Sequence, residues 1–272
     1  PLSTVITPVS MDHQQFLGND VATIAAEKAG IAKQDVPLVI GKQSDDAMTS
    51  ILDKAQKANA EIISGWQTQK TDNGFTYQDQ QGTIALPAPN LYGPHQIDNA
   101  GLAIATLRHQ NKFHITEDQI REGITSAEWP ARLQNITDSE YGHLLPKGSE
   151  LWLDGGHNPA AGETIAGFLS EQDDKPLYMI CGMMTNKDTT GFLAPLAAKT
   201  IKLFGIHVDG EDSHSAEDIC AMAQQVDIKS APVTHTEEAL KAIPHDNPVR
   251  VMICGSLYLA GQILGDNDLL PQ

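Results

Sequence analysis

The chain has 272 residues, enough for one large domain or two ordinary ones, and at 40% hydrophobic it can build substantial cores. Its formal net charge of −17, without a basic stripe, argues against nucleic acid as a partner, since that binding rests on lysine and arginine at phosphates. No apolar run approaches the roughly 20 residues a bilayer span needs, and the first residues lack the basic flank and apolar stretch of a signal peptide. Cys181, Cys220 and Cys254 are widely spaced with no CxxC pair. That pattern argues against a disulfide framework or a zinc site and fits a reducing cytoplasm.

In chain order, "STVITPVS" reads as a short strand, and "MDHQQFLGND" as a loop that places His13 just beyond its end. "VATIAAEKAGIAK" reads as a helix with Val21, Ile24, Ala25, Lys28 and Ile31 on one face. Lys28 then has two readings. Desolvation among apolar neighbours would lower its pKa and leave a neutral amine able to capture carbon dioxide as a carbamate. Alternatively its head snorkels to water. A carbamylated Lys28 would be an anionic oxygen ligand that could share a divalent ion such as Mg²⁺ with His13. "VPLVIG" follows as a buried strand and "DDAMTSILDKAQKANA" as a helix. Beyond "EIISGWQ" lies a polar, hairpin-like region with a turn signal at Asn73–Gly74.

"LPAPNLYGPHQIDNAGLAIATLRHQ" is a Pro/Gly-rich loop feeding a helix, with His95, Gln96 and Asn99 at its start. An amide both donates and accepts, so Asn99 could read an adenine edge, or it could simply cap the helix. After a short helix, "TEDQIREGITSA", the stretch "EWPARL" reads as a linker carrying Arg132. An arginine there could clamp a phosphate bidentately or be merely solvated.

From about Leu133 the pattern alternates. The strands are "ELWLDGG", "PLYMICGM", "TIKLFGIHV", "PVTH" and "VRVMICGS". The helices are "PAAGETIAGFLSEQ", "TGFLAPLAAK", "SAEDICAMAQQV", "TEEALKAI" and "LYLAGQIL". This implies a mostly parallel sheet covered on both faces, with ligands beyond the C-terminal strand ends. In "WLDGGHNPAA" a strand ends at Asp154, two glycines permit close backbone approach, and Asn158–Pro159 open a helix. A capped turn explains the glycines, Asn158 and Pro159. Asp154 could hold a ribose hydroxyl or a metal-bound water, and His157 a carboxylate or phosphate. "MICGMMTNKD" sets Lys187 and Asp188 past a strand, and "MICGSLYLAG" sets Gly255 and Ser256 at a helix N-terminus suited to an anion. GxGxxG, GxSxG, HExxH and Walker-type loops are absent from these residues.

Taken in order, "SMDHQQFLG", "EKAGIAK", "LYGPHQIDNA", "WPARL", "LDGGHNPA", "NKD" and "CGSLYL" resemble the folylpolyglutamate synthase/dihydrofolate synthase family of Mur-ligase-like ATP-dependent amide ligases. The resemblance runs over essentially the whole chain. It implies an α/β fold in which the latter part of a Mur-ligase central ATPase domain (residues 1–128) leads through a linker (129–133) to a Rossmann-like C-terminal domain (134–272). It implies ATP and Mg²⁺ as cofactors, and L-glutamate and dihydropteroate or folate as partners, with a monomeric, cytoplasmic protein and no membrane. By resemblance Lys28 is the lysine that becomes carbamylated and His13 a magnesium ligand. Asn99 lies near the base and Arg132 near the phosphates. Asp154 is associated with nucleotide contact and His157 with the reaction centre, and the carry-over extends to Gln96 and Ser256. The family usually has glycine in place of Ala131 and alanine in place of Gly156. It also carries an upstream P-loop and a glutamate metal ligand, so these residues alone are expected to be inactive. The competing readings are a Mur-type peptidoglycan-precursor ligase and a non-catalytic binding module.

Overall fold

The computed structural model describes residues 1–11, 17–18 and 20–270, and the chain divides into two compact units. The first comprises residues 1–90 and 94–128, the second residues 91–93 and 129–272.

In the first unit, β1 (Thr4–Ile6), β2 (Pro37–Ile40) and β3 (Glu61–Ile63) form a parallel sheet in that order. Helices α1 (Val21–Lys28) and α2 (Asp45–Lys57) join them. Both helices start at a side-chain cap. Asp20 accepts from the Thr23 N–H at 2.8 Å, and Ser44 accepts from the Ala47 N–H at 3.4 Å. One core gathers Ile6, Ala25, Leu38, Ile40, Ala47 and Ile51. The polar region is a three-stranded antiparallel meander, β4 (Gln67–Thr71), β5 (Gly74–Asp79) and β6 (Gly82–Leu86), one strand more than a hairpin. Phe75, Tyr77, Ile84 and Leu86 of this sheet share a core with Val39, with Leu102 and Ile104 of α3 (His95–Arg108), and with Ile120 of α4 (Glu117–Ser126). Asp79, buried in that region, takes a bidentate pair from Arg108 at 2.8 and 3.1 Å.

In the second unit the sheet has six strands in the order β11-β10-β9-β12-β8-β7. These are β7 (Gln134–Asn135), β8 (Glu150–Leu153), β9 (Leu177–Cys181), β10 (Thr200–Gly205), β11 (Ser230–Pro232) and β12 (Arg250–Cys254). All neighbours pair in parallel except the edge strand β7. Helices α5 (Pro159–Ser170), α6 (Thr189–Leu193) and α7 (Ala216–Gln224) cover one face, with Ile165, Phe168, Phe192 and Ile219 packed on Trp152, Met179 and Met252. Helices α8 (Thr236–Lys241) and α9 (Leu257–Asp266) cover the other, where Leu240, Leu259 and Ile263 pack on Leu151, Leu153, Val251 and Ile253. Alternate residues of one strand thus feed both cores, as expected of a parallel sheet buried on both sides. The doubly covered, mostly parallel sheet is Rossmann-like, as expected. The fourth strand lies at 230–232 rather than over "PVTH", because Thr234 and His235 already turn into α8, with His235 as its N-cap residue. Residues 91–93 belong here through Tyr92, whose ring meets Trp152 edge-on at 4.9 Å.

Cys181 and Cys254 are register partners on adjacent strands, both fully buried, and Cys220 is buried on α7. Contact with Cys181 and burial push the Cys254 thiol well above its ordinary pKa. No helix among the described residues is long and apolar enough to cross a membrane.

Candidate functional site

Neighbouring strands β8 and β12 send their chains to opposite faces of the second unit's sheet, β8 into α5 and β12 into α9. That divergence opens a crevice at the strand ends, the place where ligands settle on sheets of this kind. Its floor is backbone. Gly255, at φ +106°, leaves room for nothing larger, since a Cβ there would lie 2.6 Å from the Gly182 carbonyl oxygen and 2.9 Å from Cys181 Sγ. The Gly255 N–H donates to the Gly156 carbonyl at 3.0 Å and ties the two turns together. Ser256 is buried and caps α9, its Oγ accepting from the Tyr258 N–H at 3.0 Å. Asn158 caps α5 by accepting from the Ala161 N–H at 2.9 Å. Two helix N-termini therefore begin at this end of the sheet, which favours an anion there.

Arg132 reaches the same place. Its guanidinium lies over Gly155, where a Cβ would overlap the Leu257 side chain and stand 3.2 Å from Arg132 Nη1. Residues 129–133, a linker by their composition, are pinned to this unit. Ala131 and Leu133 are buried, the Gly155 N–H donates to the Ala131 carbonyl at 2.8 Å, and the Leu133 N–H donates to Asp154 Oδ2 at 2.8 Å. Ala131 and Leu133 both adopt left-handed backbone, φ +55° and +42°, at a cost of roughly 1 kcal/mol or more each for a non-glycine residue. Asp154 is buried, and its second oxygen accepts from the Gly156 N–H at 2.7 Å. His157 Nδ1 lies 2.9 Å from the Gly155 carbonyl oxygen. A carbonyl only accepts, so Nδ1 carries the proton and Nε2 is the acceptor of the neutral ring. Asp188 caps α6 through the Gly191 N–H at 2.8 Å.

Arg132, Asp154, His157 and Ser256 thus converge within one unit. The first unit holds the rest. Gln96 is buried and Asn99 exposed on the first turns of α3, and the Asn99 amide donates to Gln96 Oε1 at 3.0 Å. Neither caps the helix, whose N-cap residue is Pro94, so the capping reading of Asn99 fails. Lys28 does not sit among apolar neighbours but is exposed, and the desolvated reading is corrected accordingly. It is the last residue of α1, after which the chain tightens into a 3-10 turn. Ala29 takes the buried direction there, while Ile31 turns outward at 45% exposure. His13 lies outside the described residues. Among those residues no three His, Cys, Asp or Glu side chains gather into a set that could hold a metal ion. The donors among the described residues do not by themselves make a divalent-ion site. The glycine floor, helix N-termini and Arg132 do fit a phosphate chain.

The backbone around Arg132 and the structural use of Asp154 escape sequence reasoning. The one signal was the departure from glycine at Ala131, where a left-handed residue sits.

Comparison with known proteins bears on these features. The family model described as "Dihydrofolate synthetase, C-terminal domain" matches residues 138–266. The folylpolyglutamate synthase of Lacticaseibacillus casei is 29% identical over 280 residues, covering 97% of this chain and 61% of that protein. The structure of E. coli FolC in complex with DHPP and ADP superposes with a TM-score of 0.84 at 26% identity, over 98% of this chain and 61% of that one. The Yersinia pestis bifunctional folylpolyglutamate synthase/dihydrofolate synthase, complexed with AMPPNP and Mn ion, gives 0.81 at 26% identity, over 97% and 61%. The chain therefore spans about three fifths of the length of these relatives.

Proposed function

The chain belongs to the folylpolyglutamate synthase/dihydrofolate synthase family, and on that premise we propose that the protein carrying it ligates L-glutamate to dihydropteroate or a folate with ATP. A carboxylate is a poor acyl donor, so ATP first converts it to an acyl phosphate and leaves as ADP. The glutamate amine then adds to the acyl carbon, and phosphate departs from the tetrahedral intermediate. Arg132 offsets charge on the transferring phosphoryl group, and the backbone of Gly155 and Gly156 lets the phosphates approach closely. His157, with Nε2 as acceptor, is suited to take the proton that the attacking amine loses. Asn99 and Gln96 are assigned to the base by resemblance. Mg²⁺ is the ion proposed to accompany ATP, as Mn accompanies AMPPNP in the Yersinia relative.

The observation that carries this reading is the seating of Arg132 over Gly155 beside two helix N-termini. The binding-module alternative makes the opposite forecast for turnover. In the protein carrying this chain, ADP release should require both dihydropteroate or folate and L-glutamate, and Arg132→Ala should lower it by about 100-fold or more. ADP release indifferent to glutamate, or unchanged by Arg132→Ala, would remove the ligase reading.

A further inference from the structure

Asp154 matches a residue that the family resemblance associates with nucleotide contact, yet its surroundings show another use. Asp154 is only 7% exposed, and both its carboxylate oxygens accept from backbone N–H groups, Leu133 at 2.8 Å and Gly156 at 2.7 Å. Leu133 closes a three-residue crook with Arg132 at its centre, flanked by two left-handed residues at φ +55° and +42°. Such a backbone persists only where its surroundings hold it. Two more bonds do so, from the Gly155 N–H to the Ala131 carbonyl at 2.8 Å and from the Ala131 N–H to Gln134 Oε1 at 2.9 Å. Arg132 Nη1 itself donates to the Ala131 carbonyl at 3.3 Å. Without the Asp154 acceptor, the Leu133 N–H loses its partner and a left-handed Leu133 loses its reason to stay.

We propose that Asp154 is a positioning residue: its buried carboxylate locks the crook at 131–133 to the turn after β8, and so aims the Arg132 guanidinium across Gly155. The inference rests on the reading that Arg132 meets phosphate. It differs from a direct ribose contact in what Asp154→Asn should disturb.

The test is calorimetric titration of the full 272-residue chain with inorganic tripolyphosphate and, separately, with adenosine. Asp154→Asn should weaken tripolyphosphate binding by about tenfold, matching Arg132→Ala, with the double variant no weaker than either. Adenosine binding should stay unchanged. Loss of adenosine with tripolyphosphate retained, or additive losses in the double variant, would overturn the proposal. Trypsin, which cuts after Arg132, supplies a second arm that needs no ligand. At equal melting temperature, Asp154→Asn should be cut there about tenfold faster than the parent, and equal rates would count against the lock. If the unaltered chain ignores tripolyphosphate, the phosphate role of Arg132 fails while the trypsin arm still decides the positioning role. Should Asp154→Asn not fold, hydrogen exchange of the unaltered chain decides. A Leu133 amide as protected as that of Leu153 supports the lock, and exchange at the rate of an open loop refutes it.

Discussion

His157 shows how little geometry is needed to set a chemical role. A single contact to the Gly155 carbonyl fixes the ring's tautomer and hence which nitrogen can accept a proton. A positioned base contributes about 10²–10⁴-fold. His157→Ala in the protein carrying this chain should therefore lower kcat by about that factor and leave nucleotide affinity within about twofold, since the phosphate cradle is backbone and Arg132. Steady-state kinetics beside ADP titration would separate the two. A fall confined to affinity would return His157 to a mere phosphate contact. Asp154, His157 and Ser256 were legible from sequence because they stood just past apolar strands, whereas Arg132 stood out only as the arginine of the linker-like stretch "EWPARL". What Asp154 does there was not, because hydrogen bonding from Leu133 and Gly156 is a tertiary fact. The exposure of Lys28 was likewise hidden: its helical spacing is right, but the helix ends on it and the next turn has a different pitch.

Elements at the opposite end of the same sheet serve stability. Arg250 and Glu150 open β12 and β8 as register partners and pair at 2.8 Å, with the Arg250 side chain only 3% exposed. Arg250 also meets Asp173 at 2.6 Å, and Lys175 bridges Glu150 and Asp173 at 2.6 and 2.8 Å. Burial alone would raise the Glu150 pKa, but bonds from Arg250, Lys175 and Trp152 outweigh it and bring it to about 2. A carboxylate depressed in the folded state stabilises above its unfolded pKa, and that contribution fades as pH falls through the folded value. Urea unfolding of the second unit should lose stability from about pH 4.5 down toward pH 2, and Glu150→Gln should flatten that slope. Arg250→Ala removes the most buried partner of Glu150 but leaves it Lys175 and Trp152, and should cost about 2 kcal/mol at neutral pH. Apolar periodicity disclosed most of these strands. Strand order, with β12 inserted between β9 and β8, depends on long-range pairing that no local pattern encodes, and the two polar residues of β7 are too few to signal.

Across the whole molecule, each unit owns its cores and its own buried ion pair, Asp79–Arg108 in the first and Glu150–Arg250 in the second. Calorimetry should therefore resolve two unfolding transitions, since separate cores unfold as separate cooperative bodies. Asp79→Asn should lower one of them and Arg250→Ala the other. Were both variants to shift a single shared transition, the two units would be one cooperative body. The break near residue 128 was legible from Pro130 and the lost periodicity. The return of residues 91–93 to the second unit was not, because it depends on where one tyrosine ring finds aromatic neighbours.

The placement of the thiols has a practical corollary. All three cysteines lie inside the second unit and the first has none. A sulfhydryl reagent added to this folded chain will therefore stay silent until the second unit opens, whatever the first is doing. Its colour development is a clock that times the exposure of one half of the chain, with no label engineered into either.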